Sequence, residues 1–196
     1  MRAYLTTVFL LLLGLISSAW AFQSEGKLKS GPQPGEFLPG PFHFLNINGT
    51  HAGSPHCLVC EYGLKPVVLV FAREIPAENG QLMNLLKKLD ETVADHQKAE
   101  LRSFAVILNK DYNDEAARKK LVQELEGKAT GFKQLVISIG GPDGPENYNL
   151  DKDADVTVLL YSKHKVTANF AFAKEKLTEK DVSAILAAVT KMVPKS

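Results

Sequence analysis

The sequence predicts an α/β domain with a central mixed sheet flanked by helices and completed by a C-terminal β-hairpin and helix. Three observations lead there. Val67-Val68-Leu69-Val70-Phe71 is an unbroken apolar, mostly β-branched run behind Pro66, the pattern of a strand buried on both faces. Leu82, Leu85, Leu86, Leu89 and Val93 then recur at helical spacing, with Lys87, Lys88, Asp90 and Glu91 between them, so a helix with one apolar face can lie across that strand. The order of elements, strand-helix-strand-helix-strand and then hairpin and helix, puts parallel crossovers first and antiparallel pairing last.

Each element has its own signal. Arg2, the apolar stretch Val8 to Ile16 and Ala19-Trp20-Ala21 read as a secretory signal over residues 1–21, cleaved after Ala21. That stretch is shorter than the ~20 residues of a membrane span, and no later segment is long enough to try. Residues 22–40 hold Gly26, Gly31, Pro32, Pro34, Gly35, Pro39 and Gly40 and read as a flexible leader. The domain proper is expected over residues 41–196. Phe42 to Ile47 alternates loosely as a short strand, Asn48-Gly49 marks a turn, and a loop is expected from there to Pro66. Asn48-Gly49-Thr50 also fits a glycosylation sequon.

After the Val67–Phe71 strand and the Leu82–Val93 helix, Phe104-Ala105-Val106-Ile107-Leu108 repeats the buried-strand pattern. Asn113 or Asp114 can cap a second helix with Ala117, Leu121, Val122 and Leu125 inward. Leu135-Val136-Ile137-Ser138-Ile139 is a further strand, and Gly140-Gly141-Pro142-Asp143-Gly144-Pro145 opens a surface loop. Val156 to Tyr161 and Val166 to Phe172 flank Ser162-Lys163-His164-Lys165, a hairpin signal. Thr178 with Asp181 opens the last helix, whose inner face is Val182, Ile185, Leu186 and Val189.

Composition narrows the function. Loss of a 21-residue signal leaves 175 residues, enough for one domain with a sizeable core. The chain carries 23 Lys plus Arg against 22 Asp plus Glu, and Arg2 falls in the signal, so the mature chain is formally neutral. A nucleic-acid footprint would need a clustered basic excess; Arg118-Lys119-Lys120 reads instead as a solvated helix face. The glycine run after residue 139 lacks the pattern and Lys-Ser/Thr ending of a phosphate loop. Ser54, Ser103 and Ser138 have no nucleophile-elbow context. No cofactor is implied.

Cys57 and Cys60 are the only cysteines, and export makes their pairing with each other the default state. Closing a four-residue loop removes little chain entropy, worth about 2 kcal/mol against about 4–5 for a loop near a hundred residues. The spacing suits reversible pairing, and it also suits a metal ion. Gly63 and Pro66 leave at most one helical turn after Cys60, which weakens any helix-dipole activation of a thiol. His56 and Lys65 can supply positive charge, which Glu61 opposes. His43, His51 and His56 lie close in sequence and, with the cysteines, form a candidate copper or zinc set. His96 and His164 read as surface residues. Arg73, Glu74 and Glu78 follow the central strand, where α/β folds place ligands; Glu78 reads either as a general base or, preferably, as an acid at a helix N-terminus. Tyr62, Tyr148 and Tyr161 have no partner the sequence identifies.

The Val67–Phe71 strand, the Leu82–Val93 helix and the Val156–Leu177 hairpin-to-helix ending resemble the thioredoxin fold over roughly residues 41–193. The position of Cys57 and Cys60 resembles exported thioredoxin-like proteins whose Cys-x-x-Cys precedes the central strand. Enzymes of that superfamily place the motif directly after the strand, at the N-terminus of the next helix; Pro76-Ala77-Glu78-Asn79 stands there in this chain. They also place a cis-proline just before the hairpin, where this sequence has Ala154-Asp155-Val156-Thr157. The resemblance therefore implies the fold, and the activity must be argued from the site.

The reading that follows is thiol–disulfide exchange or redox sensing with another exported protein. Cys57 would be the attacking thiolate and Cys60 the resolving thiol. Its rival is a noncatalytic binding or scaffold protein with a structural disulfide. A third reading is a copper or zinc carrier with His56, Cys57 and Cys60 as ligands. Peroxidase chemistry is disfavoured, because in redoxin relatives the nucleophilic cysteine follows the central strand.

Overall fold

The computed structural model describes residues 28–193; the expected signal and the start of the leader lie outside them. In chain order the elements are β1 (Phe44–Asn46), β2 (Pro55–His56), α1 (Leu58–Tyr62), β3 (Val67–Ala72), α2 (Gln81–Asp95), β4 (Arg102–Leu108), α3 (Glu115–Ala129), β5 (Leu135–Gly140), β6 (Val156–Ser162), β7 (Lys165–Phe172) and α4 (Glu179–Met192). The strands form one sheet in the order β2-β1-β5-β4-β3-β6-β7. β3 pairs in parallel with β4 and antiparallel with β6, with Val70 opposite Ala105 on one side and Val158 on the other. All six of its residues are buried, as the unbroken apolar run requires. Among the described residues no helix is long and apolar enough to cross a membrane.

The two crossovers β3-α2-β4 and β4-α3-β5 step across the sheet in the same direction. A common right-handed connection therefore puts both helices on one face. Val68, Val70 and Ala72 point to that face and pack with Leu85, Leu86 and Leu89 of α2, Leu121 and Leu125 of α3, and Val182, Ile185 and Val189 of α4. The alternate residues Val67, Leu69 and Phe71 face the other way. There the cover is α1, through Leu58, Val59 and Tyr62, together with Phe42 and Tyr148 from flanking segments. Tyr148 stands edge-on to Phe42 and Phe71, and its hydroxyl donates to Gly40 O at 2.8 Å. Burial raises the hydroxyl pKa values of Tyr62, Tyr148 and Tyr161.

The ends of the elements follow local chemistry. Asp114, and not Asn113, caps α3 by accepting from Ala117 N at 2.7 Å. Thr178 and Asp181 form the expected reciprocal capping box on α4. Lys163 and His164, both at positive φ, make the tight β6–β7 turn, and His164 is half-buried there, not a free surface residue.

Two segments differ from the sequence reading. The expected loop from Asn48 to Pro66 contains β2 and α1, which at two and five residues are too short to show a period. The side chain of Asn48, the first residue of the sequon, accepts from Ile137 N at 2.7 Å and donates to Leu135 O at 2.9 Å. The described part of the leader is packed on the domain. Gly35 N donates to Val166 O and Val166 N to Glu36 O, so this segment lies along β7. Ser30 is fully buried, its hydroxyl accepting from Thr157 Oγ1 and Asp151 N.

Candidate functional site

The Cys-x-x-Cys sits at the junction of β2 and α1, on the edge side of the sheet and on the face away from the three long helices. Cys57 and Cys60 are joined by a disulfide with Cα atoms 5.3 Å apart. Cys57 is the N-cap of α1: its extended backbone turns the chain into the helix, and its Sγ accepts from Cys60 N at 3.1 Å. This geometry carries the Cys57 side chain inward, into the cluster with Leu58, Val59 and Phe42, where it is 4 % exposed. Cys60, three residues on, is exposed. Cys57, the expected attacking thiolate, is therefore the buried member of the pair, because a cap folds back over the first turn.

Around the bridge lies an open depression lined by His43, His51, His56, Cys57, Cys60 and Glu61. His56 does not lend its charge to Cys57. Its Nε2 lies 2.8 Å from Glu61 Oε2, and the ring stacks on His51 with centroids 3.6 Å apart and planes 13° from parallel. His51 Nε2 is 3.6 Å from the same carboxylate oxygen. Lys65, the other expected cation, pairs with Glu100 at 3.1 Å. Among the described residues, potential ligand atoms of His51, His56 and Glu61 come within 4.8 Å of one another; in the expected set of His56, Cys57 and Cys60 the two sulfurs are joined in the disulfide. In the sequence Glu61 is visible only as an opposing charge, because the five-residue helix that carries it is too short to show a period.

The corner that thioredoxin enzymes use, after β3, is occupied by structural contacts. Arg73 donates through three guanidinium nitrogens to Ala154 O, Pro142 O and Asp151 O. Glu74 pairs with Lys174 and Glu78 with Lys87, at 2.6 and 2.7 Å. Glu78 precedes the Gly80 cap of α2 and is not in the helix's first turn. The hydrogen bond from Lys87 lowers its carboxyl pKa from the ordinary value, which makes it a weaker base. Among the described residues there is no cis peptide bond, so Asp155 takes a place in the hairpin entry without the usual proline geometry. Sequence reasoning missed Asp155 as a titrating group: burial, then the Glu74 charge, raises its pKa.

No protein-family model matches the sequence, and neither does a curated protein. Solved structures do match. A thiol peroxidase from Chromobacterium violaceum superposes with a TM-score of 0.57 at 14 % identity, over 84 % of this chain and 90 % of its own. A DsbF homologue from Corynebacterium diphtheriae gives 0.56 at 16 %, over 84 % and 95 %. The thioredoxin domain of a thiol-disulfide oxidoreductase from Bacteroides vulgatus gives 0.51 at 15 %, over 86 % and 100 %. The fold is thioredoxin-like. Within it, this chain carries its Cys-x-x-Cys before the central strand and has no cysteine after it.

Proposed function

We propose that the protein exchanges disulfides with a thiol of another exported protein, through attack at Cys60. The observation that carries this is the unequal exposure of the pair: Cys60 is open to the depression, while Cys57 is buried with an amide on its sulfur. An incoming thiolate forms a bond to Cys60 Sγ, the Cys57–Cys60 bond breaks, and the electron pair stays on Cys57 Sγ. The Cys60 N–H favours that leaving thiolate. A second thiol of the partner then attacks the partner's own sulfur and releases Cys60, so the partner gains a disulfide and this chain is reduced. In reverse, a Cys60 thiolate attacks a partner disulfide and Cys57 resolves it. The roles are thus the opposite of those expected from sequence. The named activities of two fold neighbours, thiol-disulfide oxidoreductase and thiol peroxidase, support redox chemistry in general, and the Arg2, apolar and Ala-x-Ala leader supports export.

Two measurements test this. In glutathione buffers the pair should equilibrate with a potential above about −300 mV; a lower value marks an inert bridge. With Cys57→Ser, the remaining Cys60 should trap a partner as a mixed disulfide that reductant releases, and Cys60→Ser should not.

A second reading, a scaffold with a structural disulfide, is favoured by the packing of Cys57 into the apolar cluster beneath α1. It requires that replacing both cysteines leave partner binding unchanged.

A further inference from the structure

We propose that His51, His56 and Glu61 form a binding site for one divalent metal ion of the zinc type, separate from the disulfide beside it. Zinc bonds of about 2.1 Å to nitrogen and oxygen in a tetrahedral shell hold neighbouring ligand atoms roughly 3.4 Å apart. The two imidazole-to-carboxylate distances, 2.8 and 3.6 Å, bracket that spacing, and all three ligand atoms fall within 4.8 Å. The His51 and His56 rings are stacked 3.6 Å apart with planes 13° from parallel, so binding requires both rings to rotate off the stack until their Nε2 lone pairs converge, at side chains that are each about one-third exposed.

The three ligands are held by backbone that is itself anchored. His51 lies in a turn closed by Ser54 N and Ser54 Oγ, both donating to His51 O, and by Gly53 N donating to Asn46 O. His56 ends β2, directly opposite Phe44 of β1. Glu61 is on α1, with its N–H donating to Cys57 O, and the disulfide closes the turn between it and His56. Such anchoring lowers the entropy lost on binding. Both imidazoles bind as neutral rings through Nε2, so any Nε2 proton moves to Nδ1 or leaves to water, and Glu61 supplies one negative charge. Two nitrogens and a carboxylate oxygen suit a borderline divalent ion. His51 and Glu61 border both the disulfide depression and a polar cleft lined by Asn48, Arg102, Lys133 and Gln134, so the group is open to solvent on both sides.

The bland alternative is an exposed His56–Glu61 hydrogen bond with His51 stacked on it. Zinc chloride titrated calorimetrically into the oxidised, metal-free protein, with the absence of free thiol verified, separates the two. One equivalent should bind, and His51→Ala and Glu61→Gln should each weaken binding at least tenfold. Cobalt(II) should give d–d bands without the thiolate charge-transfer band. No saturable binding, binding that survives both substitutions, or binding that requires reductant would overturn the proposal. Glu61→Gln preserves shape and hydrogen bonding at an exposed position, so its loss of affinity is not a folding effect.

Discussion

The amide of Cys60 donates to Cys57 Sγ at 3.1 Å, while Cys60 is an exposed residue and Cys57 lies in the apolar cluster with Leu58 and Val59. On the proposed exchange the two sulfurs would have different work: one is reachable, and the other would be stabilised on leaving as a thiolate.

Alkylation of the reduced protein should expose this difference. Iodoacetamide, at a pH where both thiols are partly ionised, should label Cys60 at least ten times faster than Cys57, read by peptide mass spectrometry. Access favours Cys60, and burial shields Cys57 even where the Cys60 amide increases its thiolate fraction. Equal rates, or faster labelling of Cys57, would reverse the assignment of roles.

Removing the bridge should cost little stability. The Cys57→Ser/Cys60→Ser double variant loses a four-residue loop constraint worth about 2 kcal/mol, to which a buried hydroxyl at position 57 adds a share. Urea unfolding should show a lower midpoint with an unchanged m-value. A loss above about 4 kcal/mol would mean that the bridge also holds α1 onto the sheet.

Asp155 gives a pH signature at the corner where the enzymes of this fold do their chemistry. Burial, followed by the Glu74 charge, raises its pKa in the folded chain, so between the unfolded and folded values the native state holds more proton than the unfolded state. Stability must then fall as pH rises through that window, which begins near the ordinary carboxylate value of about 4. Asp155→Asn, which keeps the backbone bonds to Phe172 O and from Arg73 N, should stabilise the protein at pH 7 and have no such effect at pH 3. Thermal unfolding at the two pH values measures this, and an equal shift at both would remove the electrostatic explanation.

The sheet was legible because its signals are long. Five or six apolar residues in a row, as in β4 and β3, or a capping box such as Thr178 and Asp181, leave few alternatives. The site was legible only as a pair of cysteines. α1 has five residues and its direction is set by Cys57 acting as a cap, so neither the inward turn of that sulfur nor the meeting of His51, His56 and Glu61 could be read from spacing. The leader misled for a related reason: glycine and proline report backbone freedom, and they say nothing about a distant side chain that supplies hydrogen bonds.

Asn169 is that side chain. Its Nδ2 donates to Ser30 O and Pro32 O, both at 2.8 Å and buried, and beyond them the leader amides of Gly35 and Leu38 donate to Val166 O and His164 O. The leader thus covers the outer edge of β7, which would otherwise present unpaired backbone groups to other chains. Asn169→Leu keeps the volume and removes both donors, leaving two buried carbonyls without their partner at a cost of about 1–3 kcal/mol. The loss should be local before it is global. Amide exchange at Gly35 and Leu38 should accelerate at least tenfold and report an opening free energy well below that of the β3–β4 amides, because the leader opens locally and the central strands only with the domain. Equal opening free energies in the leader and the central strands would show instead that the leader unfolds only with the whole domain.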